Sequence, residues 1–274
     1  MSLPLPTSLS PSKVSTFTEC ALAFRFSAID HLPEPASPAT AKGTLVHRAL
    51  ERLFWHEPQG QRTLGVALQH LEAAKIEVLE DDEHRDLEMS DDEWAEFHAE
   101  AEVLVRQYFE LEDPNSVNMI GTELRLEANL GGLRLRGIID RLELDEDGEL
   151  VVTDYKTGRA PGEFNEQRRL MGIHFYAFLC EQVLGRRPAR IQLLHLREPV
   201  AITAVPSEQS IKALGTKTRA IWTAVERACL TESFKPKPSR LCDYCSFRAF
   251  CPAVGGDLSL VPRAEAEAEL VVAV

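Results

Sequence analysis

The sequence lacks any long hydrophobic run. No apolar stretch approaches the roughly 20 residues that a membrane-spanning helix needs. The first residues, MSLPLPTSLSPSK, also lack the apolar centre of a secretory signal. These absences exclude a helical membrane protein and predict a soluble, cytoplasmic one. Hydrophobic residues still make up 44% of the 274 residues, so the chain can bury the core of one large domain, with or without an insertion.

The sequence also lacks an excess of positive charge, which a nucleic-acid partner would favour. The formal net charge is −13, but residues 77–102 hold 13 acids against one base, Arg85, and so account for −12 of it. The rest of the chain is close to neutral. Two groups of cations could be either ordinary solvated surface or a track for DNA: Arg186, Arg187 and Arg190, and then Lys235, Lys237, Arg240 and Arg248.

The first hundred or so residues have helical patterns. Residues 8–26 predict a short capped helix, and a proline-rich loop follows it. Gly43 then begins a helix with apolar residues at three-to-four spacing. Two more helices are predicted at about 62–80 and 91–111. We interpret the segment of about 60–112 as a helical insertion and not as a second independent domain.

The pattern changes to strands from about residue 120. Three runs, TELRLEANL, LRLRGIIDRLEL and ELVVTDYKT, are joined by Gly131-Gly132 and by an Asp-Gly turn at 145–148, which predicts a β-meander. A helix at about 164–184, strands at IQLLHL and AITAV, and a helix at about 207–230 follow. No internal repeat is present, and the last dozen residues have the composition of a frayed tail.

Two carboxylates fall on neighbouring strands of this meander. Residues equidistant from a hairpin turn lie opposite each other. A turn centred between Glu146 and Asp147 therefore brings Asp140 and Asp154 within one register step. Adjacent carboxylates repel, and a divalent cation would relieve that repulsion.

Lys156 lies two residues after Asp154 and shares its face of the strand. Two acids and a lysine on one face suit phosphodiester hydrolysis, in which a metal activates water and the ammonium stabilises negative charge. The alternative is an ordinary surface ion pair beside a turn. The D-x-K pattern alone favours neither interpretation.

The longer motifs GIIDRLE and VVTDYKTG closely resemble the RecB-like branch of the PD-(D/E)XK nucleases. The resemblance implies a restriction-endonuclease-like α/β core, with a central mixed sheet and flanking helices. It also implies metal-binding and catalytic roles for Asp140, Asp154 and Lys156, with the backbone carbonyl of Tyr155 as a further metal ligand.

The resemblance extends to a helix and a tyrosine outside the hairpin. The segment from Gly43 to His47 is similar to the family's G-x-x-x-H helix, which implies that His47 is another metal ligand and that the metal is Mg²⁺ or Mn²⁺. Tyr176 occupies the position of the family's tyrosine in the helix after D-x-K and is predicted to be catalytic. The residue four positions earlier is Gly172, where the family has glutamine.

Four of the six cysteines have the spacing of metal ligands. Cys242, Cys245 and Cys251 lie close together near the end of the chain, and Cys20 lies near its beginning. Four thiolates suit zinc as well as an iron-sulfur cluster, and the five-residue gap and the split across the chain favour the cluster. The pattern resembles AddB-type nucleases and CRISPR-adaptation exonucleases, which implies a [4Fe-4S] cluster stapling the two ends of the chain. The two remaining cysteines, Cys180 and Cys229, are predicted to be buried small residues.

Together these patterns predict one nuclease domain over 1–262, with its catalytic core at about 120–230, a cluster region at 235–254 with Cys20, and a flexible tail at 263–274. The implied function is metal-dependent exonucleolytic cleavage of DNA ends or single strands in repair or recombination. No Walker A motif is present, so any helicase motor would be another chain. Two alternatives are a catalytically lapsed scaffold that binds DNA ends or a partner protein, and an RNA-directed nuclease.

Overall fold

The computed structural model describes residues 2–81, 87–160 and 163–262; the predicted tail at 263–274 lies outside these ranges. The chain divides into two compact units. The first unit combines both ends, up to Pro35 and from Thr218 onward, and the second is Ala36–Lys217. The prediction of one domain over 1–262 stays a prediction.

Seven α-helices and five strands occur within the described ranges. In chain order they are α1 (Pro11–Glu19), α2 (Ala21–Ala28), α3 (Pro38–His56), α4 (Leu64–Glu80), α5 (Asp91–Leu111), β1 (Asn118–Leu130), β2 (Leu133–Leu144), β3 (Leu150–Lys156), α6 (Glu163–Leu184), β4 (Arg190–His195), β5 (Val200–Ala204) and α7 (Glu208–Thr231). No helix within these ranges combines the length and apolar character needed to cross a bilayer.

The five strands form one mixed sheet in the order β1-β2-β3-β4-β5. The predicted meander is confirmed, since β1, β2 and β3 are successively antiparallel. Strand β4 then pairs in parallel with β3, and β5 closes the sheet as an antiparallel edge. The return from β3 to a parallel β4 needs a long crossover, and α6 provides it.

The pairing between β2 and β3 stops immediately before the predicted acids. Arg141 lies opposite Thr153 in the last pair of this ladder. The same register places Asp140 opposite Asp154, so the prediction that these two acids are neighbours is confirmed. Beyond this point β2 pairs only with β1, within the part of the chain that the structure describes.

Helices α3, α4 and α5 pack together and share one apolar core with the sheet. Leu45 and Leu50 of α3, Leu71 of α4 and Val105 of α5 are buried in this core, together with Leu194 of β4. Helix α3 begins at Pro38, five residues before the predicted start at Gly43. The reason is local: Ser37 and Thr40 form a capping box, and proline is well tolerated in the first turn.

The first unit contains α1, α2 and four short 3-10 helices near the end of the described chain. The single helix predicted over 8–26 is wrong. Cys20 has extended backbone angles and ends α1, and α2 begins at the next residue. No glycine or proline marks this break, so the sequence pattern did not reveal it. In the same unit, Phe26 packs against the rings of Phe247 and Phe250.

Candidate metal centre

Three side chains from three elements of the second unit converge on one point. They are His47 of α3, Glu123 of β1 and Asp140 of β2, and one donor atom of each lies within 4.8 Å of the other two. Within the described residues, no other group of three His, Cys, Asp or Glu donors is as close together. His47 and Asp140, which the family resemblance implies are metal ligands, therefore lie close together.

His47 of α3 is half-buried and contacts both β2 and β3. Its Nε2 atom lies 3.1 Å from the backbone oxygen of Tyr155. Its Nδ1 atom lies 3.5 Å from Asp140 Oδ2. Burial lowers the pKa of His47, against the opposing charge of Asp154. The imidazole is therefore neutral near pH 7 and has a lone pair for a metal ion.

Asp140 lies where strands β2 and β3 separate. Its Oδ2 atom accepts a hydrogen bond of 2.7 Å from the backbone N–H of Tyr155, which fixes the carboxylate against β3. Burial first, and then the charge of Asp154, raise the pKa of Asp140 to about 8. Without a cation, the Asp140 carboxyl is therefore mostly protonated at neutral pH.

Glu123 is the site residue that the sequence analysis missed. The pairs on either side of it place it opposite Asp140, and it is equidistant with Asp140 from the Gly131-Gly132 turn. The same turn arithmetic that paired the two aspartates could therefore have found it. Glu123 has a φ of 47°, which is unusual for a residue other than glycine. Burial and the charge of Asp140 raise the pKa of its carboxyl.

The donor set fits a hard divalent cation. Adjacent donors on an octahedral ion with bonds of about 2.1 Å are about 3.0 Å apart. His47 Nε2 and the Tyr155 carbonyl oxygen form a hydrogen bond of 3.1 Å, so both groups are close enough to bind the same ion. The two carboxylates of Glu123 and Asp140 would repel each other without a positive charge between them. Carboxylate, carbonyl and imidazole donors together suit Mg²⁺ or Mn²⁺.

The remaining predicted residues lie beside this donor set. The ammonium of Lys156 forms an ion pair with Asp154, which is buried. The Tyr176 hydroxyl donates a hydrogen bond of 3.4 Å to Asp154 Oδ1. Burial, and then the charge of Asp154, raise the pKa of Tyr176, so the hydroxyl stays a donor. Asp154 thus orients both the lysine and the tyrosine.

Helix α6 carries Tyr176 to the site because it packs very close to β2. A Cβ atom on Gly137 would lie 2.7 Å from Leu179 Cδ1 and 3.3 Å from a ring carbon of Tyr176. A side chain at position 137 would therefore require the Leu179 side chain to move. Gly172 lies one helical turn before Tyr176 in α6, at the position where the resembling family has glutamine.

The four predicted cluster ligands lie together in the first unit. Cys20, Cys242, Cys245 and Cys251 all line one cavity of about 200 Å³. Within the described residues, no three of their sulfur atoms lie within 4.8 Å of one another. The backbone N–H of Ser239 donates to the Cys242 sulfur at 3.4 Å. The prediction that Cys180 and Cys229 are buried is confirmed.

The raised pKa of Asp140 predicts how stability without metal depends on pH. Between the ordinary carboxyl value of 3.8 and about 8, the folded state binds more protons than the unfolded state. Stability should therefore fall as the pH rises through this window. Asp140→Asn should remove the loss and raise the free energy of unfolding at pH 8, in EDTA, by on the order of 2 kcal/mol.

Thermal melting in EDTA at pH 5 and pH 8 tests this expectation. Glu146→Gln, at an exposed position of the β2–β3 turn, is the matched control and should not change the pH dependence. Equal melting temperatures for Asp140→Asn and the parent protein at pH 8 would contradict this expectation. They would show that the ionised Asp140 carboxylate does not destabilise the folded protein.

Comparison with known proteins identifies the family and the fold. The sequence profile of the "PD-(D/E)XK nuclease superfamily" matches residues 8–252. The fold is similar to a crystal structure of a "Putative exonuclease" from Eubacterium rectale, with a TM-score of 0.52 and 12% identity over 87% of each chain. SSO0001 matches with a TM-score of 0.36 and 15% identity over 81% of this chain and 90% of that chain. No curated protein matches. The profile match extends over most of this chain, so the chain belongs to the PD-(D/E)XK nuclease superfamily.

Proposed function

We propose that this protein is a divalent-metal-dependent DNA exonuclease of the RecB-like branch, acting on DNA ends or single strands in repair or recombination. One observation carries the proposal: donors of His47, Glu123 and Asp140 lie within 4.8 Å of one another, beside the Lys156–Asp154 ion pair. A lapsed site would not need to keep all of these groups together. The superfamily supports DNA as the substrate.

The residues of the site have complementary roles. His47, Glu123, Asp140, Asp154 and the carbonyl of Tyr155 would hold Mg²⁺ or Mn²⁺. The bound ion would neutralise the scissile phosphate and lower the pKa of an attacking water.

The other two residues act through hydrogen bonds and charge. Lys156 is partly exposed, and its side chain is held by Asp154. It can orient the water and stabilise negative charge on the phosphate. Tyr176 holds the second oxygen of Asp154 through its hydroxyl, which makes it a positioning residue.

The direct test is to incubate anaerobically purified protein with end-labelled single-stranded and double-stranded DNA. The three conditions are Mn²⁺, Mg²⁺ and EDTA. We expect digestion from one end of the DNA, with mononucleotides or short products accumulating. This digestion should occur with either metal and not with EDTA. Binding without cleavage under all three conditions would favour the scaffold alternative. Cleavage of RNA with DNA left intact would favour the RNA-directed alternative.

For the first unit, we propose a [4Fe-4S] cluster held by Cys20, Cys242, Cys245 and Cys251. All four line the same cavity. Four thiolates suit a zinc ion as well as an iron-sulfur cluster. The five-residue gap between Cys245 and Cys251 and the split of the ligands across the chain favour the cluster.

The cluster should stabilise the fold more than it supports the chemistry. Its ligands join the two ends of the chain, whereas the metal-binding residues belong to the central part. The parent protein should be brown with broad absorbance near 400 nm. Cys20→Ser should lose iron and melt at a lower temperature, because the link between the ends is released. Cleavage per folded molecule should be retained.

Melting temperature, iron content and activity per folded molecule are the three measurements. Cys180→Ser, which replaces a buried cysteine outside this cavity, is the control and should keep its iron. A Cys20→Ser protein with full iron content and the parent melting temperature would show that Cys20 is not a ligand. A colourless parent protein that contains stoichiometric zinc and no iron would show that the four cysteines bind zinc and not an iron-sulfur cluster.

A further inference from the structure

Strands β1 and β2 extend well beyond the rest of the sheet as a two-stranded ribbon. They pair continuously from Leu124 and Ile139 to the turn at Leu130 and Leu133. Within the described chain, β3 pairs with β2 only from Arg141 onward. The distal part of β2 therefore has β1 as its sole strand neighbour among the described residues.

The two faces of this ribbon differ sharply. One face is apolar and buried, and α6 packs against it through Leu179, close to Gly137. The other face is exposed to solvent. It consists of Arg125, Glu127 and Asn129 of β1 and of Arg134, Arg136 and Ile138 of β2.

The exposed face carries a stepped row of arginines. Arg125 lies opposite Ile138, Arg136 lies opposite Glu127, and Arg134 lies opposite Asn129. Because alternate residues are about 6.8 Å apart along a strand, the backbone positions of the three arginines are spaced at regular steps along the ribbon. Glu127 is the one acid on this face and lies 3.5 Å from Arg134.

The exposed face is positively charged. It carries a formal charge of +2, from three arginines and one glutamate, whereas the chain outside residues 77–102 is close to neutral. The sequence analysis did not single out these arginines, because they are interleaved with apolar and acidic residues along the chain. Strand alternation and the register between β1 and β2 place them on one surface.

The row begins at the metal centre. Arg125 lines a cavity of about 390 Å³ together with His47 and Glu123, two of the three converging donors. Arg48 of α3 lines the same cavity. The exposed face of the ribbon is thus continuous, through Arg125, with the residues proposed to bind the metal.

We propose that this face is the track for the single strand being cleaved, with Arg125, Arg136 and Arg134 binding successive phosphates away from the scissile bond. The inference rests on the proposed nuclease function and extends it to substrate binding. An extended single strand presents phosphates in a regular row, and guanidinium groups are well suited to phosphate oxygens. The apolar Ile138 and the alkyl stems of the arginines can contact sugars and bases.

The double variant Arg134→Gln/Arg136→Gln tests the track and leaves Arg125 beside the metal centre intact. Its binding to a fluorescein-labelled 20-nucleotide oligo(dT) is measured by anisotropy in EDTA over a range of salt concentrations. Two lost phosphate contacts should reduce the slope of log affinity against log salt by about 1.4. Affinity at 100 mM salt should fall about tenfold or more.

The matched control is Arg106→Gln/Lys212→Gln. It removes the same charge from exposed positions of the same unit, outside the ribbon. The control should bind oligo(dT) like the parent protein. An unchanged affinity and salt slope in the ribbon variant would overturn the track. An equal loss in the two double variants would also overturn it, because the effect would then be one of net charge.

A cleavage assay separates this proposal from the proposed function. Thymidine 5′-p-nitrophenyl phosphate is too small to reach Arg134 from the metal centre. Its Mn²⁺-dependent hydrolysis should be unchanged in the ribbon variant, while kcat/KM for the 20-nucleotide strand should fall about tenfold. A fall of equal size for both substrates would overturn the track. If the parent protein cleaves neither substrate, the nuclease function fails, and the anisotropy measurement still decides whether the ribbon binds the strand.

Discussion

Asp154→Asn and Lys156→Ala are each expected to lower metal-dependent DNA cleavage by about a hundredfold or more while the protein stays folded. Asp154 is buried and connects two groups, since its oxygens bind the Lys156 ammonium and the Tyr176 hydroxyl. Asparagine keeps the shape of the side chain but loses the charge that would bind the metal. Alanine at 156 removes the ammonium that orients water and stabilises the phosphate.

The measurement is the initial rate on a 20-nucleotide strand with Mn²⁺, together with the circular dichroism spectrum and the melting temperature. Lys212→Ala is the control for Lys156→Ala, because Lys212 is also a lysine paired with an acid but lies exposed on α7. The control should cleave at the parent rate. Cleavage at the parent rate by either site variant would refute the assignment of Asp154 and Lys156 to the chemistry.

The second large effect is expected at Arg141, the residue after Asp140. Its side chain is completely buried. Its guanidinium binds both carboxylate oxygens of Glu112, at the end of α5, and also binds Glu143. It donates to the Tyr155 hydroxyl at 2.8 Å and lies 4.6 Å from the centre of the Phe54 ring. One buried cation thus connects α3, α5, β2 and β3 around the metal centre.

Arg141→Met should lower the free energy of unfolding by about 3–5 kcal/mol, because the buried Glu143 and the half-buried Glu112 would lose the cation that they share. Removing one partner of a buried ion network costs more than removing the whole network. The triple variant Arg141→Met/Glu112→Leu/Glu143→Leu should therefore recover much of the loss. Urea unfolding followed by fluorescence gives both values.

Arg106→Met is the matched control, because Arg106 pairs with Glu102 on an exposed part of α5. It should change stability by less than about 0.5 kcal/mol. If Arg141→Met is no less stable than Arg106→Met, the network does not hold the strands at the metal centre in place.

Several parts of the fold and the site were accessible from local rules. The Asp-Gly turn fixed the pairing of β2 with β3 to within one residue, and hence the approach of Asp140 to Asp154. Strand alternation placed Lys156 on the face of Asp154, and the two form an ion pair. The same rules applied to the Gly131-Gly132 turn would have added Glu123. Hairpin register is local, since a short turn fixes which residues face each other.

Other features depended on contacts that no local pattern encodes. The break between α1 and α2 at Cys20 has no helix-breaking residue. Nothing in the sequence around Arg141 distinguishes it from a surface arginine, yet its side chain is fully buried. Its partner Glu112 is distant in sequence and contacts it only in the folded unit.

The sequence by itself determined the chemical groups of the site and the hairpin that pairs two of them, because turn residues and strand alternation act over a few positions. Only the tertiary structure decided that β4 lies parallel beside β3, that α3 brings His47 to Asp140, and that three arginines share one exposed face of the ribbon. These outcomes depend on packing between segments distant in sequence. The burial of apolar faces drives that packing. Because this force is non-directional, it does not by itself specify which distant segments pack together.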